Sequence, residues 1–519
     1  MSTASKNTSL RYAINAGSSV LSVLIAMVIL IWVNQYLLKR ISPEEYALVP
    51  VMLSLMIFGE FFKIIFTRGL SRFMVEADTR GDDAEVTRIV SSMLPVLGAV
   101  ALVIAGLGLL GVIFIETIIV VEPQYVFSAR LMLGLLVLTL CVAIFTTPLA
   151  AGLYVHMRFV ELNLITLATE ASRGGLLVAL LVYAGPRAHW VVVSSTIAQV
   201  ASFLVLVAIS WKILPAARFR WSMASRAKAN ELLVFSLWTS VQALNMFVQR
   251  AAPALFLNRF STDIDVASFY LGNLPNQQIR KVTQAAANPA TPALTALYAS
   301  EGETALREHY YRGGRYHLWA ALFLVPPLVA FAEPLMRLYA GESYLGAALV
   351  MVILLGVYPF HWSSAMFYQI AYAIGRIKAY NVCSVFMALI ALAAITLFVV
   401  VLDMGALGAA LGMLVGFGIA QIGVIWPFGL KLIEGSWRLF FTRTLLPGIA
   451  PGLAALGACF LFAWGKPIET WFQLGIGSLL SAVIYTLVLS LLCMDARDKE
   501  MATSAKRRIS ALFQRRRQA

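Results

Sequence analysis

The sequence predicts an all-α polytopic membrane protein with about 14 transmembrane helices, and three observations support that prediction. Hydrophobic residues make up 60% of the 519 residues, and charged residues make up only 13%. The apolar residues form about fourteen separate runs, each near the ~20 residues that cross a hydrocarbon core as a helix. A chain this apolar, with so few charges, could not bury all that surface in one water-soluble core, so its function must lie inside or across a membrane.

The spans follow from the hydropathy pattern, with aromatic residues such as Trp32, Trp190 and Trp464 marking the membrane interfaces. The first six are predicted at residues 13–38, 46–67, 89–114, 125–147, 159–184 and 190–213. The second six are predicted at 231–257, 266–287, 316–331, 344–374, 380–401 and 406–430, and a final pair at 444–464 and 470–493.

An internal repeat indicates how these helices are grouped. Residues 38–42 (LKRIS), at the end of the first span, are similar to residues 257–261 (LNRFS), at the end of the seventh, and acidic residues such as Glu45 and Asp265 follow both. Because six helices separate the copies, both halves enter the membrane in the same direction, and we expect two lobes around a central cavity. The predicted domains are an N-terminal six-helix lobe (1–213), a basic cytoplasmic linker (214–230), a C-terminal six-helix lobe (231–430), an additional helix pair (431–493) and a basic cytoplasmic tail (494–519).

The distribution of Lys and Arg predicts the orientation. If the N-terminus is inside, the cytoplasmic connections carry a roughly fourfold excess of basic residues, so both termini should be cytoplasmic in a multi-pass protein of the plasma (inner) membrane. The net charge of +14 then reflects topology and contact with membrane lipids of the anionic leaflet. The basic residues are scattered among loops, so no nucleic-acid partner is expected.

Residues that could support catalysis or hold a metal are scarce. The four cysteines lie singly in apolar spans and the five histidines are dispersed, so the sequence predicts no metal site, no cofactor and no catalytic residue. We therefore expect that the protein is not an enzyme.

The residues after the first span resemble those of a known family. Residues 41–46 (ISPEEY), Ser54 and residues 67–73 (TRGLSRF) resemble the N-terminal signature of the polysaccharide-biosynthesis flippases, which include the O-antigen and exopolysaccharide flippases. Residues 289–294 (PATPAL) and the polar segment 300–315 are similar to the second-lobe pattern of the same proteins. These flippases belong to the multidrug, oligosaccharidyl-lipid and polysaccharide exporter superfamily.

The resemblance implies a function. The protein would move an isoprenoid-pyrophosphate-linked oligosaccharide from the cytoplasmic to the outer leaflet by alternating access, for assembly of a cell-surface lipopolysaccharide or exopolysaccharide. Glycosyltransferases and a polymerase of that pathway are then candidate partners. Many members have glycine where this chain has Ser42 and Ala47, which leaves the subfamily open. The alternatives are a peptidoglycan-precursor flippase or a multidrug or cation antiporter of the same fold, and a membrane glycosyl polymerase or ligase, whose usual large outer loop this chain lacks.

Charges within the spans give an argument that does not depend on the resemblance. A charge placed at the centre of a membrane helix costs about 3 kcal/mol or more, so it usually faces a partner or a wet cavity. Apart from Arg130 and Lys212, which we assign to the connections between spans, five basic residues lie in the predicted spans: Arg173, Arg250, Lys63, Arg280 and Lys281. The repeat offset places Lys63 opposite Lys281, so we predict that cations of both lobes meet in one cavity and bind a pyrophosphate.

Each of these residues also has a structural interpretation. Glu60 lies three residues before Lys63 and Glu170 lies three residues before Arg173, so each pair is either a neutral intrahelical ion pair or includes a carboxylate for ion coupling. The cations nearest the cytoplasmic ends could instead extend to phosphate headgroups.

Two further groups of residues are notable. Tyr358 and Trp362 are candidates for stacking on sugar rings, with helix packing as the alternative. Gly408, Gly412 and Gly416 are spaced four residues apart, which predicts close packing between helices.

Overall fold

A computed structural model describes most of the chain. The described residues are 31–67, 70–156, 158–239, 247–287, 303–374, 376–465 and 467–500, together with Met27, Leu294 and Thr503. Every regular element in these ranges is a helix, so the predicted all-α fold is confirmed.

Within the described ranges, nine helical stretches are long and apolar enough to cross a membrane. They are Asp83–Ile113, Pro123–Thr146, Val160–Tyr183, His189–Ile213, Gly346–Ala371, Tyr380–Val401, Gly405–Leu432, Trp437–Ala463 and Trp471–Cys493. Together with the further helices they make the chain a multi-pass membrane protein, as predicted.

We number the α-helices in chain order. The first half of the chain contains α1 (Pro43–Thr67), α2 (Leu70–Thr79), α3 (Asp83–Ile113), α4 (Ile115–Ile118), α5 (Val126–Thr146), α6 (Gly152–Val155), α7 (Phe159–Tyr183), α8 (His189–Ile213), α9 (Arg226–Thr239), α10 (Ala252–Phe260) and α11 (Asp263–Ala287). The second half contains α12 (Glu303–Leu322), α13 (Val325–Ala330), α14 (Ala332–Ala340), α15 (Gly346–Leu355), α16 (Tyr358–Ser363), α17 (Met366–Ala373), α18 (Ile377–Thr396), α19 (Gly405–Ala420), α20 (Trp426–Leu432), α21 (Trp437–Phe440), α22 (Leu446–Ala463) and α23 (Trp471–Val488). Short π-helical segments at Leu397–Val401, Gln421–Ile425, Phe441–Leu445 and Leu489–Cys493 adjoin these helices.

The ninth and tenth predicted spans differ from the observed helices. The ninth, predicted at 316–331, begins earlier as α12, inside a segment that the sequence assigned to a polar loop, and restarts as α13 at Pro326. The tenth, predicted as one helix at 344–374, is divided into α15, α16 and α17, with Pro359 in the first turn of α16. Proline lacks a backbone N–H and is favoured where a helix begins, which explains both restarts.

The chain forms two compact units. The first comprises Met1–Ala286, Glu342–Val350 and Asn381–Gly416, and the second comprises Ala287–Gly341, Met351–Tyr380 and Phe417–Ala519. In the first unit α5 packs against α1, α3 and α8, and α7 packs against α8. In the second unit α22 packs against α12, α13 and α23. The lobes, linker, helix pair and tail drawn from the sequence stay predictions.

The two copies of the sequence repeat make the same kind of contact in the first unit. The carboxylate of Glu45 accepts a hydrogen bond from the backbone N–H of Ala188 at 2.9 Å, directly before α8. The carboxylate of Asp265 accepts one from the backbone N–H of Ala406 at 3.0 Å, in the first turn of α19. Glu45 therefore joins the start of α1 to the start of α8, and Asp265 joins the start of α11 to the start of α19. In each case the carboxylate pairs with a backbone N–H that has no partner within its own helix, because the first N–H groups of a helix lack one.

The contact of Asp265 also restricts the neighbouring backbone. Gly405 has a φ of +53°, and a Cβ there would lie 2.7 Å from the Asp265 carboxylate, so both conformation and space require glycine. Burial alone would raise the pKa of Asp265, but hydrogen bonds from Ser261, Ala406 and Thr262 lower it, which keeps the carboxylate ionised at neutral pH.

The predicted glycine ridge lies in a close helix contact, in agreement with the sequence. A Cβ at Gly412 would lie 2.6 Å from the Cα of Ile395, and a Cβ at Gly416 would overlap the Cα of Ala391. Two residues further along the same helix, a Cβ at Gly418 would meet no atom of the described residues within 4 Å.

We predict that Gly416→Ala lowers the thermal stability of the protein, because the backbone of α18 must move to admit the methyl group. The matched control Gly418→Ala should leave stability unchanged or raise it slightly, since alanine favours a helix over glycine. Melting temperatures in detergent measure both, and equal melting temperatures for the two variants would contradict the close contact.

A buried ion-pair cluster joins α12 to the segment after the last span in the second unit. Arg315 donates to Asp498 at 2.7 Å, and the side chains of these two residues are only 7% and 1% exposed. Arg312 donates to Asp495 at 2.8 Å. Burial alone would raise the pKa of Asp495, but the backbone N–H of Asp498 and the guanidinium groups of Arg315 and Arg312 lower it to about 2, so the Asp495 carboxylate stays ionised at neutral pH.

Removing one partner of such a pair leaves an uncompensated buried charge, which costs about 3–5 kcal/mol. We therefore expect Arg315→Ala to lower the melting temperature and the membrane abundance strongly. Arg80→Ala is the control, because its ion pair with Glu76 is exposed and such pairs contribute about 0–1 kcal/mol. If Arg315→Ala has the same melting temperature as the control variant, the cluster does not hold the C-terminal segment in place.

Candidate functional site

A cavity of about 420 Å³ lies within the first compact unit. Its volume falls within the range of about 300–1,000 Å³ that is typical of small-molecule sites. Residues of α1, α7, α10 and α11 and the helical segment 247–250 form its wall. The lining residues are Pro50, Leu53, Ser54, Ile57, Thr166, Glu170, Arg173, Arg250, Ala254, Phe269, Tyr270, Asn273, Leu274, Gln277, Gln278 and Lys281.

One face of α11 supplies the largest share of this wall. Its lining residues recur every three to four positions from Phe269 to Lys281, which places them on one side of the helix. Leu271 and Ile279, on other faces of the same helix, are buried in the protein. The polar face explains why α11 is not among the nine apolar stretches, since a helix that lines a wet cavity need not be hydrophobic all round.

Three cations and one carboxylate line the cavity. Arg173 and Glu170 form an ion pair along α7, with Nη2 and Oε2 2.5 Å apart and the side chains 28% and 26% exposed. Arg250 comes from the segment before α10, and Lys281 comes from α11. The charges of Arg250, Glu170 and Arg173 all act on the Lys281 ammonium. Among the described lining residues, positive charge therefore exceeds negative charge by two.

Other contacts of this unit hold the apolar part of the wall. The ring of Tyr270 lies 6.2 Å from that of Tyr46, in an edge-to-face arrangement. The hydroxyl of Tyr46 donates to the side-chain oxygen of Asn34 at 2.9 Å in a buried position.

The residues predicted from the sequence fall into four groups. Arg173, Arg250, Lys281 and Glu170 line the cavity, whereas Arg280 is not a lining residue and donates instead to the side-chain oxygen of Gln249. The side chains of Lys63 and Glu60 lie outside the described residues, although the backbone of both belongs to α1. Tyr358 and Trp362 are buried in the second unit, where the Trp362 ring stacks on His317 at 6.0 Å. The roles of all these residues stay predictions.

The sequence analysis missed the neutral polar residues of the cavity. Asn273, Gln277 and Lys281 are spaced four residues apart, so one helical turn separates each from the next. That spacing was visible in the sequence, but amides in a span carry a smaller burial cost than charges and give a weaker signal. Gln278, which follows Gln277 directly, was missed for the same reason.

A family model described as polysaccharide biosynthesis protein matches residues 37–349, which is more than half of the chain. No curated protein sequence matches significantly.

Solved structures with the same fold are membrane transporters. The chain is similar to a structure titled as lipid II flippase MurJ in an inward closed conformation, at 13% identity and a TM-score of 0.67, covering 91% of this chain and 97% of that one. It is also similar to an inward-facing multidrug resistance MATE family transporter of the MOP superfamily, at 15% identity and a TM-score of 0.61, covering 82% and 99%. A third is a MOP superfamily transporter from Pyrococcus furiosus that is described as having a binding pocket of reverse polarity, at 14% identity and a TM-score of 0.60, covering 81% and 95%. At sequence identities this low, the similarity to these structures shows that this chain shares their fold.

The pair of Glu170 and Arg173 gives a test of how the cavity is held together. If Arg173 serves only to neutralise Glu170, Arg173→Ala should lower membrane abundance and melting temperature, and adding Glu170→Ala should restore both. The control is the pair of Arg158 and Glu161, which has the same three-residue spacing near the start of α7 but is more exposed. Its single and double variants should differ little. A folded and stable Arg173→Ala protein would show that the pair is not needed for structure.

Proposed function

The chain belongs to the polysaccharide biosynthesis protein family, and from that premise we propose that it flips an isoprenoid-pyrophosphate-linked oligosaccharide from the cytoplasmic to the outer leaflet of a plasma (inner) membrane. The observation that supports this proposal best is the surplus of two positive charges in one cavity of a protein with many membrane spans. A cavity whose described wall carries more positive than negative charge attracts an anionic ligand.

The three cations suit the chemistry of a pyrophosphate. Each guanidinium group offers several N–H donors in a planar fork that fits two phosphate oxygens, and the Lys281 ammonium adds a compact charge. Arg173 forms an ion pair with Glu170, and Arg250 and Lys281 add two further positive charges to the same wall. In this proposal the pyrophosphate enters between them while the isoprenoid chain stays in the lipid, and the cavity opens to one leaflet at a time.

A multidrug or cation antiporter of the same fold is the second candidate. The observation in its favour is Glu170, a carboxylate in the cavity wall that could bind a cationic substrate or a coupling ion. Three cations in the same described wall oppose it, because like charges repel such a substrate at short range. A peptidoglycan-precursor flippase would use the same pyrophosphate chemistry, so the glycan decides between it and our proposal.

We predict that Arg250→Ala and Lys281→Ala each lower the affinity for isoprenyl pyrophosphate by about tenfold or more, because a hydrogen bond to a charged group contributes about 1.5–3 kcal/mol. Arg250→Lys should recover only part of the loss, since an ammonium lacks the planar fork. Arg130→Ala is the control, because its ion pair with Glu116 is exposed and it does not line the cavity.

The measurement is transport in vesicles that contain the purified protein. A fluorescent isoprenyl-pyrophosphate-linked oligosaccharide is quenched by a reagent that does not cross the membrane, so quenching reports movement between leaflets. Normal flipping by a well-expressed double variant, Arg250→Ala with Lys281→Ala, would show that neither residue is needed to bind the pyrophosphate. Uptake of a lipophilic cation, without any flipping of the pyrophosphate lipid, would favour the antiporter.

A further inference from the structure

Gln278 is a buried amide in the cavity wall whose nitrogen donor is unused among the described residues. The residue is 5% exposed, and among the described residues its Nε2 has no hydrogen-bond partner. Leaving a buried donor unpaired is unfavourable, and such a group in a native structure often has a functional reason. Because Gln278 belongs to the wall of a cavity, a ligand in that cavity is the natural source of the missing acceptor.

The neighbouring amides extend this donor surface. Asn276 donates to the side-chain oxygen of Asn273 at 2.7 Å, so Asn273 has its own amide nitrogen to offer to a ligand. Gln277 and Asn273 both line the cavity on the same face of α11 as Lys281. We call Asn273, Gln277 and Gln278 the amide row.

The spacing of the amide row fits the part of the ligand next to the pyrophosphate. A helix rises 1.5 Å per residue, so Gln277 lies about 6 Å and Asn273 about 12 Å along the helix from Lys281. A pyrophosphate at Lys281 and Arg250 would therefore place the sugar attached to it beside the row. Amides are uncharged donors, which suit the oxygen atoms of a neutral sugar better than a second phosphate.

We infer that the amide row binds the sugar that is attached directly to the pyrophosphate, with the Gln278 amide donating to an oxygen of that sugar. This inference rests on the proposed function and adds a determinant of specificity to it. A site built to hydrogen-bond a substrate oxygen discriminates against a ligand that lacks it, because the buried donor is then left unpaired. The carbonyl oxygen of an N-acetyl group is the strongest neutral acceptor that common sugars offer, so an N-acetylated sugar is the appropriate probe.

The experiment compares two ligands with wild-type protein and two variants in detergent. The ligands are undecaprenyl pyrophosphate and the same lipid linked to one N-acetylglucosamine. Wild type should bind the second more tightly. Gln278→Leu, which keeps the approximate size of the side chain and removes the donor, should abolish that gain, about tenfold for a buried hydrogen bond, and leave binding of the bare pyrophosphate lipid unchanged.

Two further variants make the result specific. Gln278→Glu replaces the donor with an acceptor of similar shape and should also lose the gain from the sugar. Gln369→Leu removes a buried amide that lies in the second unit and does not line the cavity, so it should behave as wild type toward both ligands. Gln278→Leu should not unfold the protein, because the buried donor that it removes forms no hydrogen bond among the described residues.

The outcomes separate this inference from the proposed function. If wild type binds both lipids equally, or if Gln278→Leu keeps the full gain from the sugar, the amide row does not bind the first sugar, although the pyrophosphate site stands. If wild type binds neither lipid, the proposed function fails and the inference fails with it.

Discussion

The high free energy of a charge inside a membrane is the constraint on which the site depends. A cation in a span is tolerated only when it meets a carboxylate, a polar cavity or the interface. The first unit uses two of these solutions side by side. Arg173 meets Glu170 along its own helix, whereas Arg250 and Lys281 border a cavity in which positive charge is in excess. That excess of positive charge among the described lining residues is the reason we propose an anionic ligand for the cavity.

The second constraint is that backbone groups at helix ends also need partners. Glu45 and Asp265 each use a carboxylate for this purpose, and each joins the start of a helix to the start of another helix in the same unit. The two helices that begin beside these acids, α1 and α11, are also helices that line the cavity. The contacts at the helix ends therefore fix the register of the lining side chains, because a helix held at its first turn cannot slide along its axis without breaking the bond.

The sequence predicted those features that have a strong energetic signature. Long apolar runs gave the helical fold, the three-residue spacing of Glu170 and Arg173 gave their ion pair, and the burial cost of charge singled out three of the cations that line the cavity. Breaks in helices were harder to predict. Pro326 and Pro359 lie where helices restart, but hydropathy is averaged over a window and does not show a break of one or two residues. The amide row was missed because a neutral amide changes the hydropathy of a span only slightly, and the sequence does not say which neighbours a helical face meets.

Charge and amides would contribute differently to recognition of a lipid-linked glycan. The attraction between Arg250, Lys281 and a pyrophosphate acts over several ångströms and does not depend on the sugar, so it would supply affinity for the feature that all such lipids share. A hydrogen bond from the Gln278 amide requires an acceptor within about 3 Å and in the right direction, so it depends on the sugar itself. Affinity and specificity would then reside in different residues of one cavity, with Lys281 about one to two helical turns along α11 from the amide row. A change of sugar specificity among related chains would accordingly need substitutions in the amide row alone, with the cations unchanged.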